Sequence, residues 1–280
     1  MNRDVTFLIN SCDKYEDAWH PFFECLWHFA GDLPYPIVLN LEKKQYTSSH
    51  YALKCVNTPG HVSWSKRLLH ALESVDTDFV FFLLEDYFLQ EPFDRERFET
   101  VIQYMKNHPD VCIVDIKPRW SDSLDEKEAV RKQYSAAADS FLERNSRIFN
   151  ITCAPGIWRT SALRSLIRTH EDVWDFERYV GLRAKKNGWK VVRFDTRTPG
   201  IYEYDYQLWS GMGITAGHWL PKNKEFFDSL GIEVNYQRLG TLDAASVEEV
   251  KKTVRKDPFA MLKKIPRKIR KKITRKKSLN

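Results

Sequence analysis

The chain has 280 residues, of which 42% are hydrophobic and 14% are aromatic. This content can fill a buried core and excludes a globally disordered protein. The longest apolar run, Phe79–Leu84, is far shorter than the roughly 20 residues of a membrane-spanning helix. Residues 1–10 lack the apolar stretch and the cleavage site of a signal peptide, so we expect a cytosolic protein.

Charge is divided unequally between a body and a tail. The last 30 residues contain 14 of the 44 Lys and Arg side chains but only one of the 38 acidic ones. Residues 1–250 therefore carry 30 basic and 37 acidic side chains, a net charge of −7. A charged partner is expected to bind the tail, and the acidic body argues against a nucleic-acid-binding groove.

The five cysteines are scattered, odd in number and form no Cys-x-x-Cys pair. This spacing excludes a disulfide framework and a structural zinc site. We expect reduced and mostly buried thiols, with one reactive thiol as the alternative.

Strand and helix patterns alternate in the first half. Short apolar runs predict strands at 5–10, 36–39, 51–56, 79–84 and 111–116. Helical periodicity predicts helices at 16–29, at 64–75 with Ser63 as N-cap, and at 95–107 with Asp94 as N-cap. The run at 79–84 is apolar on both faces, which is typical of a strand covered on both sides. This alternation predicts a mainly parallel α/β sheet flanked by helices.

The second half is less regular. We expect an exposed helix or loop at 121–133, a strand at 148–152 and a turn at 154–156. Helices follow at 160–168, with Thr160 as cap, and at 174–187, ended by Gly188. Residues 199–220, rich in Gly, Tyr and Trp, predict an irregular lid or wall, and a linker is expected near 238–247. The predicted domain spans 1–245, with a nucleotide-binding half (1–118) and an acceptor-side half (119–245), before a basic tail (246–280).

Two adjacent acids, Glu85 and Asp86, follow the apolar strand directly. Ligands of open α/β sheets bind outside the carboxyl ends of the strands. Paired carboxylates there can hold a hard divalent cation that bridges phosphate oxygens. The alternative is a pair of solvated loop acids.

The stretch FVFFLLEDYFL resembles the strand and acidic motif of GT-A-fold glycosyltransferases, which use nucleotide sugars. The runs INSCDKYEDAW, WSKRLLHAL and LLEDYFL are similar to those of uncharacterised glycosyltransferases from bacterial surface-polysaccharide gene sets. The resemblance covers roughly residues 4–220 and implies a GT-A-like, Rossmann-type α/β fold. The usual family motif is Asp-x-Asp, whereas Tyr87 follows Glu85-Asp86 here. Either Mn²⁺ or Mg²⁺, or basic side chains in its place, would therefore hold the diphosphate.

The resemblance implies two groups of donor-binding residues in addition to Glu85 and Asp86, namely Ser11, Asp13 and Tyr15, and Trp64, Ser65 and Arg67. Tyr15 would stack on the base and Asp13 would accept a hydrogen bond from it. In the alternative, Asp13 caps a turn and Tyr15 lies in the core. Arg67 would reach the diphosphate from a helix start, which favours anions, or would lie on a solvated helix face.

A general base is expected at the start of the helix near 174. The resemblance implies an inverting enzyme in which Glu177, or second Asp175, takes the proton of the acceptor hydroxyl. The alternative is that both acids complement the helix dipole.

The resemblance also assigns acceptor binding to Gly156, Trp158 and Trp174. It makes His218 a third metal ligand beside Asp86 and Glu85, with a structural hydrogen-bonding His as the alternative. The glycine-dense segment 211–219 is expected to close over the donor.

Apolar residues recur at spacings of three and four in the basic tail: Phe259, Leu262, Ile265, Ile269 and Ile273. This pattern is typical of a helix that lies on an anionic membrane, here through residues 251–277. A lipid-linked acceptor at the inner face of the cell membrane would suit such attachment. Nucleic-acid binding and a solubilising tail are the alternatives.

Together these features predict a glycosyltransferase that moves a sugar from a nucleotide-sugar donor to a glycan or lipid-linked acceptor in surface polysaccharide synthesis. One rival is a metal-dependent nucleotidyl- or phosphotransferase, although the chain lacks GxxxxGK[ST]. The other rival is a non-catalytic carbohydrate-binding membrane adaptor.

Overall fold

The computed structural model describes residues 4–116, 141–142, 151–194, 200–204, 213–215 and 217–243. The predicted segment 121–133 and the tail at 246–280 lie outside these residues, as do parts of the predicted wall at 199–220. Of the predicted strand at 148–152, only Ile151 and Thr152 are described, and they form no strand.

Six α-helices are present in the described part of the chain: α1 (Trp19–Ala30), α2 (Trp64–Glu73), α3 (Arg95–Asn107), α4 (Thr160–Leu166), α5 (Val173–Lys186) and α6 (Pro221–Ser229). A 3-10 helix, Asp13–Ala18, precedes α1. The strands are β1 (Val5–Asn10), β2 (Ile37–Leu41), β3 (Leu53–Asn57), β4 (Phe79–Leu84), β5 (Val111–Asp115), β6 (Phe141–Leu142), β7 (Gly156–Arg159), β8 (Lys190–Phe194), β9 (Ile214–Thr215) and β10 (His218–Trp219).

Eight strands form one sheet in the order β3-β2-β1-β4-β7-β5-β8-β6. Strands β1 to β5 and β8 point the same way, while β7 and β6 run antiparallel to their neighbours. Helices cover both faces of the sheet, so the predicted fold class, a mainly parallel α/β sheet flanked by helices, is confirmed. β9 and β10 form a separate antiparallel hairpin.

Strand β4 contributes side chains to both hydrophobic cores, one on each face of the sheet. Phe79, Phe81 and Leu83 point into one core, which α1 and α3 cover. Val80 and Phe82 point into the other, which α2, α4 and α5 cover. Because successive side chains of a strand face opposite sides, a run that is apolar on both faces requires cover on both sides. The sequence prediction for this strand is confirmed.

Hydrogen bonds at the helix starts test the predicted caps. The Ser63 hydroxyl accepts the backbone N–H of Lys66 at 3.2 Å, and the Asp94 carboxylate accepts that of Arg97 at 2.9 Å, so both N-caps are confirmed. Thr160 is not a cap. It is the first helical residue of α4, and its hydroxyl donates to the Thr77 carbonyl oxygen at 2.8 Å.

Residues 238–243 of the region predicted as a linker are among the described residues. Within residues 231–243, which we call the C-terminal strap, Thr241 pairs with Trp219 of β10. Arg238 donates from Nε to Asp17 at 2.8 Å and from Nη2 to the Lys14 carbonyl oxygen at 2.9 Å. The strap therefore joins the hairpin to the segment that follows β1.

The remaining sequence predictions concern thiols and membrane spans. All five cysteines lie among the described residues and none forms a disulfide there; Cys25, Cys112 and Cys153 are buried, as expected. Among the helices that the structure describes, none has the length and apolar character needed to span a bilayer.

Candidate active site at the carboxyl edge of the sheet

Strands β1, β2 and β4 are parallel neighbours and end at the same edge of the sheet. Ser11 and Cys12 follow β1, Glu42 follows β2, and Glu85 and Asp86 follow β4 directly. Parallel pairing places Asn10 beside Leu84, so the segments that leave β1 and β4 begin side by side. The predicted acid pair thus lies at the ligand-binding edge of the α/β sheet.

The two acids are buried, not solvated. Only 6% of Glu85 and 8% of Asp86 is exposed. Burial, and after it the negative charge of Asp86, holds the pKa of Glu85 well above its usual range. Burial raises the pKa of Asp86 to about 7, although its own backbone N–H and that of Ile214 donate hydrogen bonds that lower it. Two desolvated acids in adjacent positions repel each other and favour a proton or a cation between them.

These acids fit one part of a divalent cation site. Mg²⁺ is commonly held by one or two carboxylates, with substrate phosphates and water completing its shell. Across the described residues, His, Cys, Asp and Glu side chains do not gather in any group of three or more that could hold a metal. Two carboxylates could hold a cation whose remaining ligands come from a phosphate-bearing molecule and water.

His218 does not join the acid pair. The side chain is exposed on β10, and its Nδ1 lies 2.5 Å from the Leu239 carbonyl oxygen of the C-terminal strap. The prediction of His218 as third metal ligand is wrong in this structure, because among the described residues His218 does not form a metal-binding group with Glu85 and Asp86.

Arg67 brings positive charge to the same edge. Its side chain is buried, donates from Nη1 to the Ser11 carbonyl oxygen at 3.2 Å and lies 3.3 Å from Glu42. Its positive charge also lowers the pKa of Glu85. Arg67 therefore faces the site, and the alternative of a solvated helix face is excluded.

The residues after β1 have different roles. Ser11 is buried, and its hydroxyl accepts the Trp19 indole N–H at 2.7 Å and contributes a hydrogen bond that lowers the pKa of Glu85. Tyr15 is half-buried; burial first, then the charges of Cys12, Asp86 and Glu85, raise the pKa of its hydroxyl to about 12. The Tyr15 hydroxyl thus lies within electrostatic reach of the acid pair.

Asp13 is a structural link. Its carboxylate accepts the backbone N–H groups of Glu42, Lys43 and Lys44 at 3.1 to 3.3 Å. These bonds tie the segment after β1 to the segment after β2. The predicted hydrogen bond from Asp13 to a nucleobase would compete with this network. Asp13 is not a helix cap either, because it is the first residue of the 3-10 helix, whose N-cap is Cys12.

The first turn of α2 faces the loop before α5. Ser65 is fully buried and donates from Oγ to the Glu171 carbonyl oxygen at 2.9 Å. The Trp64 ring packs on that of Phe176, with 5.3 Å between centroids. The predicted donor-binding role of Ser65 is therefore wrong, because its hydroxyl is already bonded to the main chain.

Glu177 lies on α5, next to Phe176, whose ring packs on Trp64 of α2. It is half-buried, and its Oε1 accepts the backbone N–H of Cys153 at 2.6 Å. The pKa of the buried Tyr87 hydroxyl is held well above its usual range, first by burial, then by Tyr204 and by the charges of Asp86 and Glu177. The charges of Glu177 and Asp86 therefore both act on Tyr87. Asp175 is buried and lies 3.2 Å from Arg178 one turn along α5. Of the two predicted bases, Glu177 is the one fixed next to the strand ends.

Two predicted acceptor residues belong to the sheet instead. Gly156 begins β7 between β4 and β5, where a Cβ would come within 3.2 Å of Ile113 Cδ1. Trp158 is only 1% exposed and lies in the core beneath α5. Neither presents a surface to a sugar, so both assignments are wrong. Trp174 is 43% exposed and remains available.

Two backbone N–H groups, which the sequence analysis did not identify, donate hydrogen bonds to Asp86. The Gly213 N–H donates to the Asp86 carbonyl oxygen at 2.7 Å, and the Ile214 N–H donates to the Asp86 carboxylate. Asn223 of α6 donates from Nδ2 to the Gly213 carbonyl oxygen at 2.6 Å. A Cβ at Gly213 would lie 2.0 Å from Phe88 Cε2, so only glycine fits there. The glycine density of this segment was the signal for such a close approach.

No protein-family model matches the chain, and no curated protein matches it. Among solved structures, S. aureus TarS 1–349 is similar with a TM-score of 0.49 and 13% identity, over 97% of this chain and 77% of that one. A cytidylyltransferase from Leptospira borgpetersenii has a TM-score of 0.47 and 10% identity, over 95% and 99% of the two chains. Glucosyl-3-phosphoglycerate synthase from Mycobacterium tuberculosis, in complex with Mn²⁺ and UDP-glucose, has a TM-score of 0.41 and 11% identity, over 78% and 82%.

Proposed function

We propose that this protein is a glycosyltransferase that moves a sugar from a nucleoside-diphosphate donor to a glycan or lipid-linked acceptor hydroxyl. The observation that carries the proposal is the buried Glu85-Asp86 pair at the carboxyl end of β4. The charge of Arg67 acts on Glu85, and the charges of Asp86 and Glu177 both act on the Tyr87 hydroxyl. Buried, mutually repelling acids are costly to a fold, and they cluster where a ligand compensates them.

The donor side would hold the diphosphate. Asp86 and Glu85 would bind Mn²⁺ or Mg²⁺, which when bound would neutralise charge on the departing diphosphate. Arg67, bonded to the main chain at Ser11, adds a fixed positive charge that costs no reorganisation during the reaction. The half-buried ring of Tyr15 offers a stacking surface for the nucleobase of the donor.

The acceptor side would supply the base. In an inverting transfer, the acceptor oxygen bonds to C1 of the sugar while the bond from C1 to the phosphate oxygen breaks. The electron pair of that bond leaves with the diphosphate, and the proton of the acceptor hydroxyl passes to Glu177. The hydrogen bond from Cys153 N–H orients this carboxylate. The exposed ring of Trp174, at the start of the same helix, offers a stacking surface for an acceptor sugar.

Attachment to the inner face of the cell membrane through residues 251–277 is part of the proposal. The support is compositional: 14 basic residues alternate with apolar ones in the last 30. Each basic residue near an anionic surface contributes roughly 1 kcal/mol. Such a tail would hold the enzyme near a lipid-linked acceptor, in keeping with a role in surface polysaccharide synthesis.

The test is donor binding by calorimetry, using UDP, GDP, CMP and dTDP sugars and CTP, each with and without Mn²⁺. We expect one nucleoside-diphosphate sugar to bind with an affinity that rises with Mn²⁺ and is lost in Asp86→Asn. The matched control is Asp110→Asn, an exposed acid before β5 at the opposite edge of the sheet, paired with Lys190.

The other outcomes separate the rivals. Tight binding of CTP, with release of pyrophosphate, would indicate a nucleotidyltransferase. Binding of glycans without any nucleotide would indicate a carbohydrate-binding adaptor. If the affinity for the nucleotide sugar changes neither with Mn²⁺ nor in Asp86→Asn, the metal site is not part of the function.

A further inference from the structure

A buried ion pair connects the loop before α5 to α5 itself. Arg183 on α5 is 2% exposed and Glu171 in the loop is 0% exposed. Nη1 and Nη2 of Arg183 donate to the two carboxylate oxygens of Glu171 at 2.7 and 2.9 Å. The third guanidinium donor, Nε, contacts the Leu166 carbonyl oxygen at the end of α4 at 2.8 Å. The guanidinium thus fixes three elements in one geometry.

The same loop is bonded from its other side by α2. Ser65 donates from Oγ to the Glu171 carbonyl oxygen at 2.9 Å, and Ser63 donates to the Thr169 carbonyl oxygen. The side chain of Glu171 is therefore held by α5 and its main chain by α2. Both ends of this connection are buried, so water does not compete for the hydrogen bonds.

The helices joined in this way carry the two sides of the proposed site. Ser65 lies two residues before Arg67 on α2, and Arg183 lies six residues after Glu177 on α5. A change in the position of α5 relative to α2 would alter the distance between the diphosphate and the base. A misplacement of about 1 Å at reacting groups can cost roughly 100-fold in rate.

Stability alone does not account for such a pair. Removing two ions from water is costly, and replacement of a buried pair by apolar side chains of similar volume is often neutral or stabilising. An apolar pair would fill the space without the directional hydrogen bonds. What the ion pair adds is a defined orientation of α5.

We propose that Glu171 and Arg183, together with Ser65, are positioning residues that set the separation between Arg67 and the base Glu177. This inference rests on the proposed function.

The first test is the double variant Glu171→Met/Arg183→Met, assayed with the donor found by calorimetry. We expect an unchanged or higher unfolding temperature and a donor KM within about 2-fold of wild type. We expect kcat to fall by about 10-fold or more, because the base is no longer held in place. A folded double variant with wild-type kcat overturns the inference.

The second test uses a smaller change, in case the double variant does not fold. Ser65→Ala removes only the hydrogen bond from α2 to the Glu171 carbonyl oxygen. The control Ser229→Ala removes a similar bond, from Oγ to the Phe226 carbonyl oxygen at 2.7 Å, on the exposed end of α6.

We expect Ser65→Ala to lower kcat about 3-fold or more at constant donor affinity, and Ser229→Ala to leave it unchanged. Equal kcat in the two variants overturns the inference. A wild-type chain that neither binds nor transfers any nucleotide sugar overturns the proposed function instead, and this inference with it.

Discussion

The donor side and the acceptor side of the proposed site are built differently. On the donor side, Glu85 and Asp86 follow β4, and Ser11 follows β1, so the sheet itself places them. On the acceptor side, Glu177 lies on α5 and is fixed by the Cys153 main chain 24 residues earlier. The donor residues are placed by the hydrogen-bonded pairing of parallel strands, whereas Glu177 is placed by the packing of a helix and by a side-chain hydrogen bond. We therefore expect the acceptor side to be the more easily disturbed.

The largest expected effect is on the acceptor side. Glu177→Gln retains an oxygen that can accept the Cys153 N–H but removes the proton acceptor. We expect kcat to fall by about 10² to 10⁴-fold, with donor affinity unchanged, as measured in steady-state kinetics and calorimetry. Asp175→Asn, which alters the partner of Arg178, is the control and should change kcat little. If Asp175→Asn were the more damaging variant, the base would be Asp175.

On the donor side, a substitution at Gly213 tests whether the backbone contact between Gly213 and Asp86 is needed for donor binding. Gly213→Ala places a methyl group against Phe88, and we expect a loss of about 1–3 kcal/mol in the free energy of unfolding. Donor affinity should also fall, because the Gly213 N–H holds the Asp86 main chain. Denaturant unfolding and calorimetry measure the two effects.

A second change checks the cause. Phe88→Leu combined with Gly213→Ala should recover part of the lost affinity, since it removes the ring that the methyl group meets. Absence of any recovery would mean that the damage arises elsewhere.

Because the pKa of buried Asp86 is raised, we expect the free energy of unfolding to depend on pH in an unusual direction. Burial raises its pKa to about 7 in the folded protein, against about 3.9 in an unfolded chain. Between these values the folded state holds more protons, so stability falls as pH rises from about 4 to 7. We expect the free energy of unfolding of Asp86→Asn to exceed that of wild type at pH 8, and this advantage to be lost at pH 4. Thermal unfolding at both pH values measures this.

Addition of Mn²⁺ and donor should reverse the ranking at pH 8. A ligand that binds only the folded wild type raises its stability, whereas Asp86→Asn would gain little. Equal behaviour of the two proteins at both pH values would indicate that Asp86 is solvated.

The smallest expected effect on the folded domain follows from removal of the basic tail, which we propose holds the enzyme near its acceptor. Removal of residues 251–280 should leave the unfolding temperature within about 2 °C but abolish sedimentation with vesicles that contain anionic lipid. Binding of the full chain should weaken with salt, because attraction to an anionic surface is screened. Equal sedimentation with neutral vesicles would contradict an electrostatic attachment.

The sequence predicted the parts of the fold that local patterns determine. The apolar run of β4, the caps Ser63 and Asp94, and the acids after β4 all have signatures within a few residues. Trp158 shows why the rest was missed: alternation could not reveal that β7 inserts between β4 and β5 and buries the ring. Ser65 and His218 were misassigned because their partners, Glu171 and Leu239, lie far away in sequence. Strand β8 and helix α6 lie outside the predicted elements, although Pro221 at the first position of α6 is a helix-start signal.

The contacts of Arg238 have a consequence for how the protein folds during synthesis. Arg238 bonds to Asp17 and to the main chain of Lys14, which precede it by 221 and 224 residues. Contacts of such high sequence separation form late, because a long loop must close before they contribute. The segment from Cys12 to Ala18 that borders the acid pair can therefore reach its final packing only after the ribosome has released the strap. A nascent chain that stops short of residue 238 would contain every strand of the sheet and both acids, but it would lack the bonds from Arg238 to Asp17 and to the Lys14 main chain.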